Sequence, residues 1–126
     1  MNRLKVKLWR DKSYGKWIHE NLNCCVTGEP LPDPHHIKGE GYGTVKAPDY
    51  LQMALKHELH VELHQIGWKA FEDKYETSQR VMVTETLLAA HAKGYFDINQ
   101  FHLPEWFHEL KAYFNDIPEE MVKGYL

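Results

Sequence analysis

Five of the nine histidines in this 126-residue chain fall within one stretch, Asp33 to Tyr75. His35 and His36 are adjacent. His57, His60 and His64 follow on a segment where Leu55, Leu59, Leu63 and Ile66 recur with helical period. On a helix, residues four apart stand one turn above the other on the same face. His60 and His64 can therefore share an ion, and His57 lies on the same side. Neutral imidazole is the commonest side-chain ligand for borderline metals. Spacing excludes the zinc-peptidase pattern H-E-x-x-H: four residues after His57 stands Val61, and between His60 and His64 the glutamate is out of place.

The order of these residues suits phosphodiester hydrolysis, which needs an activated water and charge relief at the phosphoryl and leaving oxygens. An imidazole of ordinary pKa, about 6.5, is a usable base at neutral pH. A bound cation supplies the other two terms. Adjacent residues on a regular strand point to opposite faces, so His35 and His36 share a site only where the strand ends or bulges. The residues alone leave open which is ligand and which is base. The turn GEGYG (39–43) either lets backbone amides approach phosphate or tightly connects two strands. Lys38 and Lys46 flank it as candidate phosphate contacts. Tyr42 and Trp68 offer rings for base stacking, with core packing the plainer role for Trp68. His19, His91, His102 and His108 have no partner spacing and read as structural or surface residues.

Several elements must position these side chains. Leu4, Val6 and Leu8 alternate with Lys5 and Lys7, a half-buried strand with a basic wet face. Ser13 is placed to cap a helix carrying Trp17, Ile18 and Leu22. Gly28 and three prolines make CCVTGEPLPDP (24–34) a turn region. His35 to Ile37 reads as a short strand paired with Tyr50 to Met53. A helix runs from Leu55 to Ile66, where Gly67 ends or bends it, and Trp68, Phe71 and Tyr75 continue an apolar face. A second helix spans Thr77 to Lys93 with Val81, Leu87 and Leu88 as core candidates, ended by Gly94. A third covers Asp97 to Phe114, with Pro104 in its first turn or splitting it. Pro118 opens a last short helix. The outline is α+β and helix-rich.

Residues 33–75 resemble the HNH nucleases, in particular the small recombination-associated group of phages and prophages that includes the RecA-dependent nuclease Ref. That group resembles C-x-x-C-G, then HH, a Gly-rich turn, a Ser/Ala-Asp pair, an apolar strand, C-x-x-H-H-x-x-L-H and G-x-x-x-F-E-x-x-Y. This chain reads CCVTG, DPHHIKGEGYGTVKAPD, YLQMAL and KHELHVELHQIGWKAFEDKY. The resemblance covers about a third of the chain. It implies a ββα-metal (His-Me finger) core over residues 24–75; length and periodicity place that core in a single domain, 1–126, with 77–126 as a helical extension. It assigns His36 as general base, Asp49 as the residue that orients the base or braces the turn, and His35, His60 and His64 as metal ligands. The structural-zinc positions would be Cys24, Thr27, Lys56 and Leu59, and three of these cannot ligate, so no structural zinc is expected. An all-imidazole shell suits Mn, Co, Ni or Zn, whereas the resemblance implies cleavage supported by Mg or Mn.

Composition narrows the partners. Aromatics make up 13% and the net charge is −3, so a core can form and a strongly basic, non-specific nucleic-acid binder is disfavoured. Charge is uneven: the first sixteen residues carry Arg3, Lys5, Lys7, Arg10, Lys12 and Lys16 against Asp11, while the last thirty are acidic. Lys5 and Lys7, with Lys38, Lys46 and His57, are the candidate nucleic-acid contacts. No run reaches the ~20 apolar residues of a membrane span, and the basic N-terminus has no apolar h-region, so a cytoplasmic protein is expected. The adjacent cysteines, Cys24 and Cys25, do not indicate a disulfide framework. The expected function is a metal-dependent DNA endonuclease, with a RecA-type recombinase as a partner implied by resemblance. The alternative is a non-catalytic, nucleic-acid-binding recombination accessory protein with a vestigial metal site. A metalloenzyme acting on a small substrate is a third class, disfavoured by the order of the histidines.

Overall fold

The computed structural model describes residues 8–115. The expected basic strand with Lys5 and Lys7, and the helix after Pro118, fall outside them. The described chain is mixed α+β: five α-helices and one two-stranded antiparallel sheet. In order come α1 (Lys12–Asn21), β1 (Asp33–His36), β2 (Gln52–Leu55), α2 (His57–Ile66), α3 (Trp68–Tyr75), α4 (Gln79–Ala92), a 3-10 turn (Ile98–Gln100) and α5 (Glu105–Asn115).

The sheet is short and well buried. All four residues of β2 are buried. The register pairs Asp33 with Leu55, Pro34 with Ala54, His35 with Met53 and His36 with Gln52. The strand expected at Tyr50 to Met53 therefore sits two residues later, because Asp49 to Leu51 are occupied by a turn in which Leu51 N–H donates to Pro48 O at 2.9 Å. Pro34 lacks an N–H, yet its partner Ala54 leaves no bond unmade. The Ala54 N–H donates to Thr86 Oγ1 at 3.2 Å, and its carbonyl accepts from Cys25 N–H at 2.9 Å. Pro34 thus occupies an edge position where no ladder bond is lost.

Helix ends follow their capping chemistry. Asp11, rather than Ser13, caps α1, its Oδ1 accepting from Ser13 N–H at 2.9 Å. Ser78 caps α4 through Val81 N–H at 3.1 Å, so that helix begins two residues later than the pattern predicts. Gly67 separates α2 from α3 at φ 84° and ψ 166°, a region open essentially to glycine alone. Glu62 of α2 then accepts from Lys74 and Tyr75 of α3, pinning the two helices together. The predicted helix from Asp97 to Phe114 is split by Pro104: a 3-10 turn capped by Asp97 comes first, and α5 starts at Glu105.

One buried cluster joins Met53 and Leu55 of β2, Leu59 and Leu63 of α2, Phe71 of α3, Met82, Val83 and Leu87 of α4 and Phe107 of α5. Val81 and Leu88 are only partly buried, because α4 turns Met82, Val83 and Thr86 toward β2 instead. A second cluster sets Tyr14 and Ile18 of α1, and Leu22 at its C-cap, against Ala54, Ala89 and Ala90. The segment before α1 is held by rings: Trp9 packs on Phe101 at 4.8 Å, on Tyr50 at 5.7 Å and on Phe96 at 6.2 Å between centroids. Among the described residues, no helix is long and apolar enough to cross a membrane.

Candidate metal centre

His35 leaves the sheet toward α2. There the imidazoles of His35, His60 and His64 each offer a nitrogen, and the three nitrogens lie within 4.8 Å of one another. His35 and His60 meet edge to face at 4.7 Å between centroids, and His60 and His64 are 4.9 Å apart. Ligands at about 2.1 Å from a tetrahedral cation stand roughly 3.4 Å from each other, so the nitrogens need close by at most about 1.4 Å to share one. His35 is buried, His60 half-buried and His64 exposed, which gives the group a closed floor and an open side. Trp68 and His35 meet edge to face at 5.7 Å between centroids. A cavity of about 340 Å³ opens beside them, lined by His35, Lys38, Leu63, His64, Gly67 and Trp68.

The donor chemistry fits a cation. His35 Nδ1 lies 2.7 Å from the carbonyl of His36, which can only accept, so Nδ1 carries the proton and Nε2 keeps its lone pair. His60 Nδ1 lies 3.2 Å from Asp33 Oδ2, which fixes the same tautomer there. A ligand histidine typically donates its second nitrogen to a carbonyl or carboxylate in this way. Burial pushes the His35 pKa down to about 4, and the neighbouring His60, His64 and Lys38 add to the effect, so at neutral pH this imidazole is uncharged.

His36 stands elsewhere. β1 pairs in regular register through its last residue, so His35 and His36 face opposite ways. His36 Nε2 lies 2.8 Å from Asp49 Oδ1. Asp49 is held from several sides: Arg10 Nη1 donates to Oδ1 at 3.1 Å, Asp11 N–H to Oδ2 at 2.8 Å, and its own N–H donates to Trp9 O at 2.9 Å. Burial pushes the Asp49 pKa up, but the hydrogen bonds from His36, Asp11 and Arg10 outweigh it and hold the carboxyl below its usual range. A second cavity, of about 440 Å³, is lined on this side by Arg10, Asp11, Lys12, Gly15, His36, Lys46, Asp49 and Gln52. It shares no lining residue with the cavity beside the triad.

Among the remaining expected contacts, Lys38 lines the triad's cavity and Lys46 that of His36, and both also line a cavity of about 530 Å³ at the Gly-rich turn. His57 stays outside the triad, its Nδ1 bonded to Asp33 Oδ2 at 2.8 Å and its side chain mostly exposed. At the positions where a structural zinc would need ligands, Lys56 pairs with Glu29 and Leu59 is buried in the core. Two participants were not singled out from sequence. Arg10 had only its charge to mark it, and Asp33 only its place two residues before His35.

The family model described as "Protein of unknown function (DUF968)" matches residues 1–94. The chain belongs to the DUF968 family. The matched region holds every residue of both constellations and ends just after α4, before α5. The chain is also similar to the uncharacterized protein YdfU of Escherichia coli (strain K12), 38% identical over 73 residues, or 56% of this chain and 20% of YdfU. It therefore spans about a fifth of the length of that relative. No solved structure matches this DUF968 chain.

Proposed function

We propose that this protein is a metal-dependent endonuclease of HNH type that hydrolyses phosphodiester bonds in DNA, with β1, β2 and α2 forming its ββα-metal core. The observation that carries this reading is the convergence of His35, His60 and His64 from two segments distant in sequence, with Nε2 of His35 and His60 left free.

His36 is the general base in this proposal. Ionised Asp49 can only accept, so it holds the Nε2–H tautomer and leaves Nδ1 as the basic atom. Nδ1 takes a proton from water as the water oxygen attacks phosphorus and the bond to the leaving sugar oxygen breaks. Asp49, anchored by Arg10 and the Asp11 amide, stabilises the imidazolium that forms. A divalent cation on His35, His60 and His64 would relieve charge at the phosphoryl and leaving oxygens. Lys38 and Lys46, one on each side of the turn, favour a phosphate that lies across the end of β1. DNA is thus the expected partner, and a RecA-type recombinase is one implied by the sequence resemblance.

The separation of the His36 cavity from the triad's favours a second reading, a nucleic-acid-binding accessory protein whose metal site is structural. One assay separates the two. Purified protein is incubated with supercoiled plasmid and with single-stranded DNA, with Mg, Mn or chelator. The nuclease reading expects divalent-dependent nicking that His36→Ala abolishes with metal binding retained. DNA binding without cleavage by the wild type under every condition overturns it.

A further inference from the structure

Asp33 opens β1 and shares a face with His35, two residues on. That face looks toward the first turns of α2, which start directly after β2 because only Lys56 lies between Leu55 and His57. The Asp33 carboxylate is mostly shielded, and one oxygen, Oδ2, receives both His57 Nδ1 at 2.8 Å and His60 Nδ1 at 3.2 Å. A single strand face thus delivers one member of the triad, His35, and a carboxylate bonded to another, His60. Among the described residues, no backbone carbonyl takes that role for His60.

We propose that Asp33 is a positioning residue that sets the cation affinity of the triad by acting through His60. This rests on the metal reading given above. The carboxylate accepts the His60 Nδ1–H, which fixes the ring's rotation and leaves Nε2 as the nitrogen available to a cation. Its negative charge also strengthens Nε2 as a donor, as outer-sphere carboxylates do for ligand histidines. His57 cannot stand in for it. It is a competitor for the same oxygen, sits one turn earlier and carries a mostly exposed ring. Its removal leaves Asp33 bonded to His60 alone.

The test is Co(II) and Zn(II) affinity, read by the cobalt spectrum and by chelator competition, on the full chain and on Asp33→Asn, Asp33→Glu and His57→Ala. Thermal unfolding of the metal-free proteins is the companion readout. Asp33→Asn is expected to weaken binding about 10–100-fold, the usual effect of losing such a partner, with the metal-free melting temperature little changed. Asp33→Glu, which keeps the charge and moves the acceptor by one methylene, is expected to fall between Asn and wild type. His57→Ala is expected to bind within about threefold of wild type. Wild-type binding matched within threefold by both Asp33 variants overturns this inference and leaves the metal centre standing. So does a loss that merely tracks a fall in the metal-free melting temperature. Failure of the wild type itself to bind either ion overturns both.

Discussion

His36 donates its Nε2–H to Asp49 Oδ1 across 2.8 Å, and the same oxygen takes a hydrogen bond from Arg10 at 3.1 Å. Thirty-nine residues separate Arg10 from Asp49, yet the carboxylate ties the segment before α1 to the end of β1. The pair defines one half of the proposed site. The triad on the other face of β1 defines the second.

His36→Ala is expected to lower the nicking rate by about 10²–10⁴-fold, the usual contribution of a positioned base, and to leave Co(II) affinity unchanged. Asp49→Asn should cost less, because the amide still accepts but no longer stabilises the imidazolium by charge. Initial rates of plasmid relaxation under saturating Mn provide the measurement. A His36→Ala rate equal to wild type removes His36 from the mechanism.

His64 is exposed and contributes little to the core. His64→Ala should therefore fold as the wild type does while losing cation affinity by at least the roughly 10–100-fold that outer partners command. Isothermal titration with Zn(II), beside circular dichroism, checks both halves of the statement. Unchanged affinity would show that the convergence of the three rings is packing alone.

Metal-free protein should lose stability as acid is added. In the folded chain the His35 pKa lies near 4, against 6.5 ordinarily, so between those values the unfolded chain binds more protons. Stability from this group is whole above about pH 6.5 and is lost as pH falls toward 4, on the order of 3 kcal/mol in all. Asp33 and Asp49 carry the same sign further down. Burial raises each, but hydrogen bonds outweigh it and hold both below the ordinary carboxylate range, so their contribution fades below about pH 4. Urea midpoints in chelator at pH 7, 6, 5 and 4 trace the curve. A flat profile down to pH 4 contradicts the burial of His35.

Thr86 Oγ1 accepts the Ala54 N–H and donates to Met82 O at 2.8 Å, all within the core. Thr86→Val keeps the shape but removes the acceptor, stranding a buried amide. The expected cost is about 1–3 kcal/mol, read from denaturant unfolding.

Gly67→Ala should cost a similar amount, about 1–3 kcal/mol, because alanine is strained at φ 84° and ψ 166°. It also shifts Trp68 relative to His64, so the variant's cation affinity should fall with its stability. Paired melting and Zn(II) titrations test that coupling.

Much of the triad was legible in the chain itself. The i, i+4 spacing of His60 and His64 puts both rings on one helix face through local geometry alone, and the leucine repeat at the neighbouring positions sets that face at the rim of the core. Gly67 and Pro104 marked the breaks because their backbone limits act within a residue or two. The place of Asp33 and Arg10 was not legible. An aspartate two residues before a histidine is ordinary until β1 pairs with β2 and carries α2 over it. An arginine in a basic segment is ordinary until the Trp9 cluster folds that segment against Asp49. The direction of His36 was likewise undecided, since a strand and a bulge place neighbouring side chains differently and only pairing with Gln52 selects the strand. Sequence sets what each residue can donate, accept or ligate, and its local periodicity. Which of those groups meet depends on long-range burial and register, which no short window of the chain contains.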